Sequence, residues 1–454
     1  MRRNRAHGAA QAPLVVAQTG DDTPPVNGGR NARGAAVAAI SAVLRKKLPL
    51  ERAAAESIES APLAPRDKGF ARALATESMR RLGQIEALIR HFVSKAPPPH
   101  KAGITPEILI AGACELLFLK TPPHAAVDAA NRLAQADRNA VHFKPLINAV
   151  LRRIAREGEA IAGSQDAAML NTPDWLWPRW VSSYGEEKAR AIAAVHAAIP
   201  ALDLSFAGED VPAIADAVRL APQTLRVTRA GRVEEMPGYR EGRWWVQDFA
   251  ASLPVRLFGN VAGRHAIDLC AAPGGKTAQL CAGEAHVTAV DIAPERLQIL
   301  RENLDRLRFS AELVAGDARD WRPRESAPLV FLDAPCSATG TIRRHPDLPW
   351  LKSAADVEIC AGLQTELLDA AAEMTAPGGI LVYAVCSLEP EECEEQVEAF
   401  LARNGGFRRE PVNAAEVFAP QFVTASGDLR TLPCMWAERG GMDGFFAARL
   451  RRLG

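Results

Sequence analysis

From about residue 246 onward, short apolar runs alternate with helical stretches, and this alternation narrows the fold more than any other feature of the chain. The runs are "HAIDLC", "HVTAVDI", "AELVAGD", "LVFLD" and "ILVYAVC"; "PERLQILRENLDRL" and "GLQTELLDAAAEM" are among the stretches between them. Near-continuous Val, Ile and Leu suits strands buried on both faces, so the pattern predicts a parallel sheet covered by helices on either side. Ligands of such sheets bind beyond the carboxyl ends of the strands. The chemistry should therefore lie in the loops that follow each run.

The first run ends in "DLCAAPGGKTAQL". Pro273, Gly274 and Gly275 make a sharp turn into a helix, where glycines let a ligand approach the backbone. The spacing is not G-x-G-x-x-G, the turn that seats a pyrophosphate, so a nucleoside cofactor without phosphates suits it better. The second run ends in Asp291, where a carboxylate can accept both ribose hydroxyls. The third ends in "GDARDW", which places Asp317 near an adenine amino group. A single Asp at such a place is often a helix cap; three at successive strand ends, Asp268, Asp291 and Asp317, point to a ligand.

The fourth run, in "LVFLDAPCSATGTIRRHPDLPW", puts Asp333 and Cys336 just past the strand, ahead of a polar loop with Arg343, Arg344 and His345. The fifth, in "LVYAVCSLEPEEC", ends on Cys386 and then turns acidic, as a segment meeting solvent would. A buried cysteine is usually an inert small hydrophobe. Adjacent parallel strands, however, set their C-terminal loops side by side, so two thiols and a carboxylate are expected to converge beside the cofactor.

The rest of the chain reads differently. Its 454 residues require two or three domains. Residues 1–30 lack periodicity and are expected to be disordered. Val37, Ile40, Leu44 and Leu48 recur at helical spacing. Phe70 to Ile89 reads as one further helix, Thr105 as the N-cap of the next with Pro106 at its first position, and "PLINAVLRRIAREGEAI" as the last. Residues 31–162 are thus an all-α domain. Residues 163–245 are a small α+β connector, whose Trp175, Trp177 and Trp180 are expected to pack rather than stack on bases. Residues 1–160 hold 24 Lys+Arg against 14 Asp+Glu in a chain of zero net charge, so the front suits an anionic partner such as nucleic acid. Eight cysteines without a C-x-x-C pair exclude a zinc site and a disulfide framework, and no apolar run is long enough to span a bilayer. A reduced, cytoplasmic protein is expected.

"DLCAAPGGKT", "VDI", "GDARDW", "DAPCSATGTIRRHPDLPW", "YAVCSLEPEE" and "DGFFAARL", in that order, closely resemble the Sun/RsmB family of S-adenosylmethionine-dependent RNA cytosine-5 methyltransferases. "RDKGFARALATESMRRLGQIEALI" and "INAVLRRIAR" look like the NusB-like RNA-binding domain of its small-subunit rRNA members. The chain departs from the usual pattern at Val385, where the family has Thr, and at "LSF" (204–206) in the connector. The resemblance implies a Rossmann-like methyltransferase domain over 246–454, preceded by the NusB-like domain and the connector. It implies Cys386 as the nucleophile, Cys336 as the thiol assisting proton loss and product release, and Arg343, Arg344 and His345 as RNA contacts. S-adenosylmethionine would be held by Cys270, Ala271, Ala272, Pro273, Gly274, Gly275, Lys276, Asp291, Asp317 and Asp333. The partner implied is RNA, 16S rRNA foremost and tRNA second, with no metal and a monomeric enzyme. A nicotinamide oxidoreductase lacks its pyrophosphate loop here, and a non-catalytic assembly factor would not need both cysteines.

Overall fold

The computed structural model describes residues 31–93, 97–208, 213–228 and 231–454; the expectation for residues 1–30 lies outside them. The chain forms two compact units. One runs to Asp174 and takes in His345–Leu351; the other comprises Trp175–Arg344 and Lys352–Gly454. The division falls later than the boundary expected after residue 162, and the connector shares a unit with the sheet domain.

The first unit is helical. Ala32–Lys46 starts on Asn31, whose side chain accepts from the Gly34 N–H at 2.8 Å, and ends where Lys47 turns left-handed before "LP". Val37, Ile40, Leu74, Ile85, Ile147 and Leu151 share one core. The single helix expected over 70–89 is two, Pro65–Arg80 and Leu82–Phe92, broken at Arg81 (φ −110°, ψ 13°). Just past the break, Gly83 has no room for a side chain: a Cβ there would stand 1.7 Å from the Leu170 carbonyl oxygen. Thr105 is not a cap. The Ile104 carbonyl already accepts from the Ile108 N–H at 3.0 Å, so Thr105 is the first residue of Thr105–Leu117 and its buried hydroxyl finds no partner. Pro123–Ala136 follows, and then Lys144–Ser164 as expected. The segment His345–Leu351 was not anticipated in this unit. Asp347 Oδ2 accepts from the Leu50 N–H at 2.8 Å, and Trp350 Nε1 donates to the Met79 carbonyl at 3.0 Å.

The second unit opens with two helices, Trp177–Tyr184 and Glu186–His196, and a small antiparallel sheet. Its strands β1 (Leu202–Ser205), β2 (Ala217–Ala221), β3 (Thr224–Val227) and β4 (Trp245–Val246) lie in the order β2-β3-β1-β4. Leu204 and Phe206, from the divergent "LSF", fill its core with Leu225, Val227 and Trp244. Trp180 is buried, as a packing tryptophan should be, and its Nε1 donates to Glu389 Oε1 at 3.0 Å.

The large sheet contains β5 (His265–Leu269), β6 (His286–Asp291), β7 (Glu312–Ala315), β8 (Ala327–Asp333), β9 (Thr375–Val385), β10 (Phe407–Arg409), β11 (Leu429–Thr431) and β12 (Phe445–Arg452). The order is β10-β12-β9-β8-β5-β6-β7, with β11 also on β12. β5 to β9 pair in parallel, as the apolar runs require. β10, β11 and β12 add an antiparallel edge that the alternation did not reveal. Ile267, Leu269, Val330, Leu332 and Leu381 pack on one face; Ala266, Phe331, Val382 and Ala384 pack on the other. Both faces are buried, which accounts for the lack of a two-residue period. Register pairs Leu269 with Val290 and Leu332, and Asp333 with Ala384. The strand tips are therefore level, and their loops open on one edge.

Candidate active site

At that edge the turn after β5 is tight. Cys270 takes a left-handed backbone (φ 59°), uncommon for a residue with a side chain, and Gly274 has φ 100°. A Cβ at Gly274 would come within 2.7 Å of Leu300, whereas one at Gly275 would meet open space, with Gln247 as nearest neighbour at 4.0 Å. Beneath the turn, Asp268 is fully buried and accepts from the Thr277 hydroxyl at 2.6 Å. Burial pushes its carboxyl up to about 7 against the pull of that hydrogen bond.

Asp291, at the tip of β6, is buried. Its Oδ2 accepts from the Ala272 N–H and its Oδ1 from the Ala293 N–H, each at 3.0 Å. Each oxygen keeps a second lone pair. Cys270, Asp291, Ile292, Gly316, Asp317 and Pro335 line a cleft here. Asp317 lies at its rim, and the Arg319 guanidinium at 2.6 Å holds that carboxyl below its ordinary range. Ile292, which sequence reasoning missed, is 65% exposed beside Asp291. A large aliphatic side chain left open in a cleft is a surface for a flat apolar ring. The carboxylate, the spare backbone space at Gly275 and this aliphatic face fit a nucleoside cofactor.

The tips of β8 and β9 carry the two thiols expected to converge. Cys336 Sγ and Cys386 Sγ stand 3.4 Å apart. The Cys336 thiol is held well above its ordinary range, first by its hydrogen bond to Cys386 and then by burial. Lys276, expected on the cofactor, donates from Nζ to Asp333 Oδ2 at 2.7 Å and sits 4.9 Å from the centre of the Phe445 ring. Burial pulls Lys276 down, but Asp333, by charge and hydrogen bond, together with the charge of Cys386, outweighs it and keeps the ammonium above its usual range. The pocket of the two thiols thus contains a cation that sequence reasoning had assigned to the cofactor alone.

Two expectations are corrected. Arg343 is not a surface cation: its side chain is 1% exposed, its Nε donates to Asp443 Oδ1 at 2.9 Å, and its Nη2 donates to Asp248 Oδ2. Two buried carboxylates, distant in sequence, hold it inside. Of its companions, Arg344 is partly exposed and donates to Asp443 at 2.7 Å, while His345 belongs to the helical unit. The acidic stretch after Cys386 meets solvent only in part, at Glu391, Glu394 and Glu395. Ser387, Leu388, Glu389 and Glu392 are fully buried. Glu389 accepts from Arg179 Nε at 2.7 Å and from Trp180, and the Tyr184 hydroxyl donates to the Leu388 carbonyl. These partners come from the connector helix, so no local pattern announces them.

Comparison with known proteins agrees with this geometry. Residues 258–451 match the family model described as 16S rRNA methyltransferase RsmB/F, and residues 30–156 match the NusB family. The Ribosomal RNA small subunit methyltransferase B of Pseudomonas putida is 35% identical over 445 residues, 93% of this chain and 99% of the relative. That of Vibrio cholerae is 35% identical over 392 residues, 82% and 89% of the two chains. Among solved structures, PH0851 superposes with a TM-score of 0.74 at 22% identity, covering 94% of this chain and 99% of its own, a likeness of fold.

Proposed function

Since the chain belongs to the RsmB/F family of 16S rRNA methyltransferases, we propose that it methylates carbon 5 of a cytosine in 16S rRNA, with Cys386 as the nucleophile. The observation that carries this reading is the pair of free thiols 3.4 Å apart at adjacent strand tips, in the same edge of the sheet as the nucleoside cleft.

Carbon 5 of cytosine is a poor nucleophile. A thiolate adding to carbon 6 breaks the aromaticity and makes carbon 5 enamine-like, dividing one hard step into easier ones. S-adenosylmethionine, when bound, supplies the electrophilic methyl group. Asp291 would hold its ribose, Ile292 and Asp317 would border its adenine, and the turn from Cys270 to Gly275 would line the passage towards Asp333.

The attacking sulfur must be a thiolate, and a free thiol ionises only near pH 8.5. Cys336, held above its ordinary range, keeps its proton, and the Lys276 ammonium lies in the same pocket as the two sulfurs, where it favours an anion. Once Cys386 is bonded to carbon 6 and carbon 5 carries the methyl group, Cys336 gives its own proton to solvent and takes the carbon-5 proton. The C–H electron pair re-forms the double bond between carbons 5 and 6 while the carbon–sulfur bond breaks, releasing the base and the Cys386 sulfur. Asp333, oriented by Lys276, faces the edge of the cytosine.

A base within a duplex is out of reach, so the target is unpaired or flipped out. Exposed Arg152, Arg153 and Arg156 would contribute salt-sensitive phosphate contacts from the helical RNA-binding region, which we place at 31–162, with 163–245 as connector and 246–454 as catalytic domain. No described helix is long and apolar enough to cross a membrane. We read the protein as a cytoplasmic monomer that needs no metal.

The test is a denaturing gel of Cys336→Ala protein incubated with rRNA and S-adenosylmethionine. A trapped protein–RNA adduct is expected, absent from the Cys336→Ala/Cys386→Ala double variant. An adduct that survives loss of Cys386 overturns the assignment.

A further inference from the structure

Glu392 lies six residues beyond Cys386, in a stretch that reads as surface, yet it is 0% exposed. Its carboxylate joins two loops. Oε1 accepts from the Ser337 backbone N–H at 2.7 Å and from Gln364 Nε2 at 3.2 Å. Oε2 accepts from the hydroxyls of both Ser337 and Ser387. Ser337 is the residue after Cys336, and Ser387 is the residue after Cys386. Both serines are themselves fully buried.

A buried carboxylate is costly unless its oxygens are satisfied. Burial pushes Glu392 above the usual carboxylate range while its hydrogen bonds pull it back. The loops are also joined by a backbone bond, Gly340 N–H to the Cys386 carbonyl at 3.0 Å, by Leu388 N–H to the Thr339 hydroxyl at 2.9 Å, and by the Ser337 and Ser387 hydroxyls at 3.2 Å. The first two reach Thr339 and Gly340, three and four residues past Cys336; the carboxylate takes the immediate neighbours of both sulfurs at one point.

We propose that Glu392 is a positioning residue: it ties the Cys336 and Cys386 loops at a single anion and so sets the thiol spacing on which the cytosine chemistry depends. This inference rests on the function proposed above. Removing the carboxylate orphans the Ser337 N–H and leaves the two serine hydroxyls only each other and Thr339 as acceptors, while Gln364 keeps the Pro335 carbonyl; the tie between the loops is weakened. A displacement of about 1 Å between reacting groups costs roughly 100-fold in rate. A glutamine keeps an acceptor for the Ser337 N–H, and its amide can donate to serine hydroxyls that rotate to receive it.

Two measurements on the full-length protein test this. The first needs neither RNA nor cofactor: dibromobimane fluoresces when it bridges two nearby thiols, and peptide mapping assigns the bridge to Cys336 and Cys386. The second is steady-state methyl transfer to rRNA, with S-adenosylhomocysteine affinity measured alongside. Glu392→Ala is expected to slow bridging about tenfold or more and to lower kcat about 100-fold, with KM for RNA and cofactor-product affinity within about twofold. Glu392→Gln is expected to recover the bridging rate and most of kcat. Should Glu392→Ala not fold, Ser387→Ala removes one arm of the tie and is expected to give the same pattern, smaller in size. Unchanged bridging in Glu392→Ala, or equal defects in the Gln and Ala variants, overturns the positioning role. Normal bridging in wild type without a trapped cytosine adduct in Cys336→Ala protein overturns the proposed function instead.

Discussion

Replacing Arg343 by methionine separates the two roles that this residue can have. If it holds an RNA phosphate, the variant should bind RNA with a shallower salt dependence, the slope of log K against log salt falling by about 0.7–1. If it holds the protein together, the damage should fall on stability. The geometry decides for the second. Arg343 and its partners Asp248 and Asp443 have side chains between 0% and 2% exposed, with Nε to Asp443 at 2.9 Å and Nη2 on Asp248. Removing one partner from a buried ion pair costs about 3–5 kcal/mol, because the remaining charge is left uncompensated. Two features favour the lower end. Arg344 still faces Asp443, and burial already pushes Asp248 up to about 6, so protonation relieves it at modest cost. About 3 kcal/mol is therefore expected. Urea unfolding at pH 7.5, followed by the fluorescence of the buried Trp180, Trp244 and Trp245, measures it, with filter binding to rRNA at several salt concentrations in parallel. Stability within about 0.5 kcal/mol of wild type together with a slope reduced by one charge would refute the structural role.

Two further outcomes follow from buried carboxylates. Asp347→Ala removes the acceptor of the Leu50 N–H, where Pro49 at the cap has no side chain to offer, and should cost the helical unit about 1–3 kcal/mol; Asp347→Asn, which keeps an acceptor, should recover most of it, and equal losses in thermal melts would count against the cap. Asp268 has a folded pKa of about 7, above its unfolded value near 4, so its contribution to stability is complete at low pH and is lost as pH rises through 7. Asp268→Asn should therefore flatten the decline in unfolding free energy between about pH 4 and 7, and an unchanged slope in urea titrations would show that Asp268 does not ionise in that window.

The catalytic half was legible because its signals are local. Strands of a parallel sheet announce themselves as apolar runs, and whatever follows each run must emerge at one edge. Asp291, Asp333, Cys336 and Cys386 could be placed there before any coordinates, and the level register of β5, β6, β8 and β9 bears this out. The antiparallel edge escaped notice because "DGFFAARL" says strand without saying which neighbour or which direction. In the helical unit the break at Arg81 was invisible, since Gly83 owes its place to the Leu170 backbone, far away in sequence.

The sequence alone, then, determined which groups stand at the strand tips, since side-chain periodicity and chain order are properties of neighbouring residues. Only the tertiary structure decided which charges face water. Arg343, Glu389 and Glu392 look like solvated polar residues in a linear string. Each is buried because a partner from another element, Asp443 and Asp248, Arg179 and Trp180, or Ser337 and Gln364, compensates the loss of hydration. Such pairing has no local period, so the tie between the two cysteine loops appears only when the chain is folded.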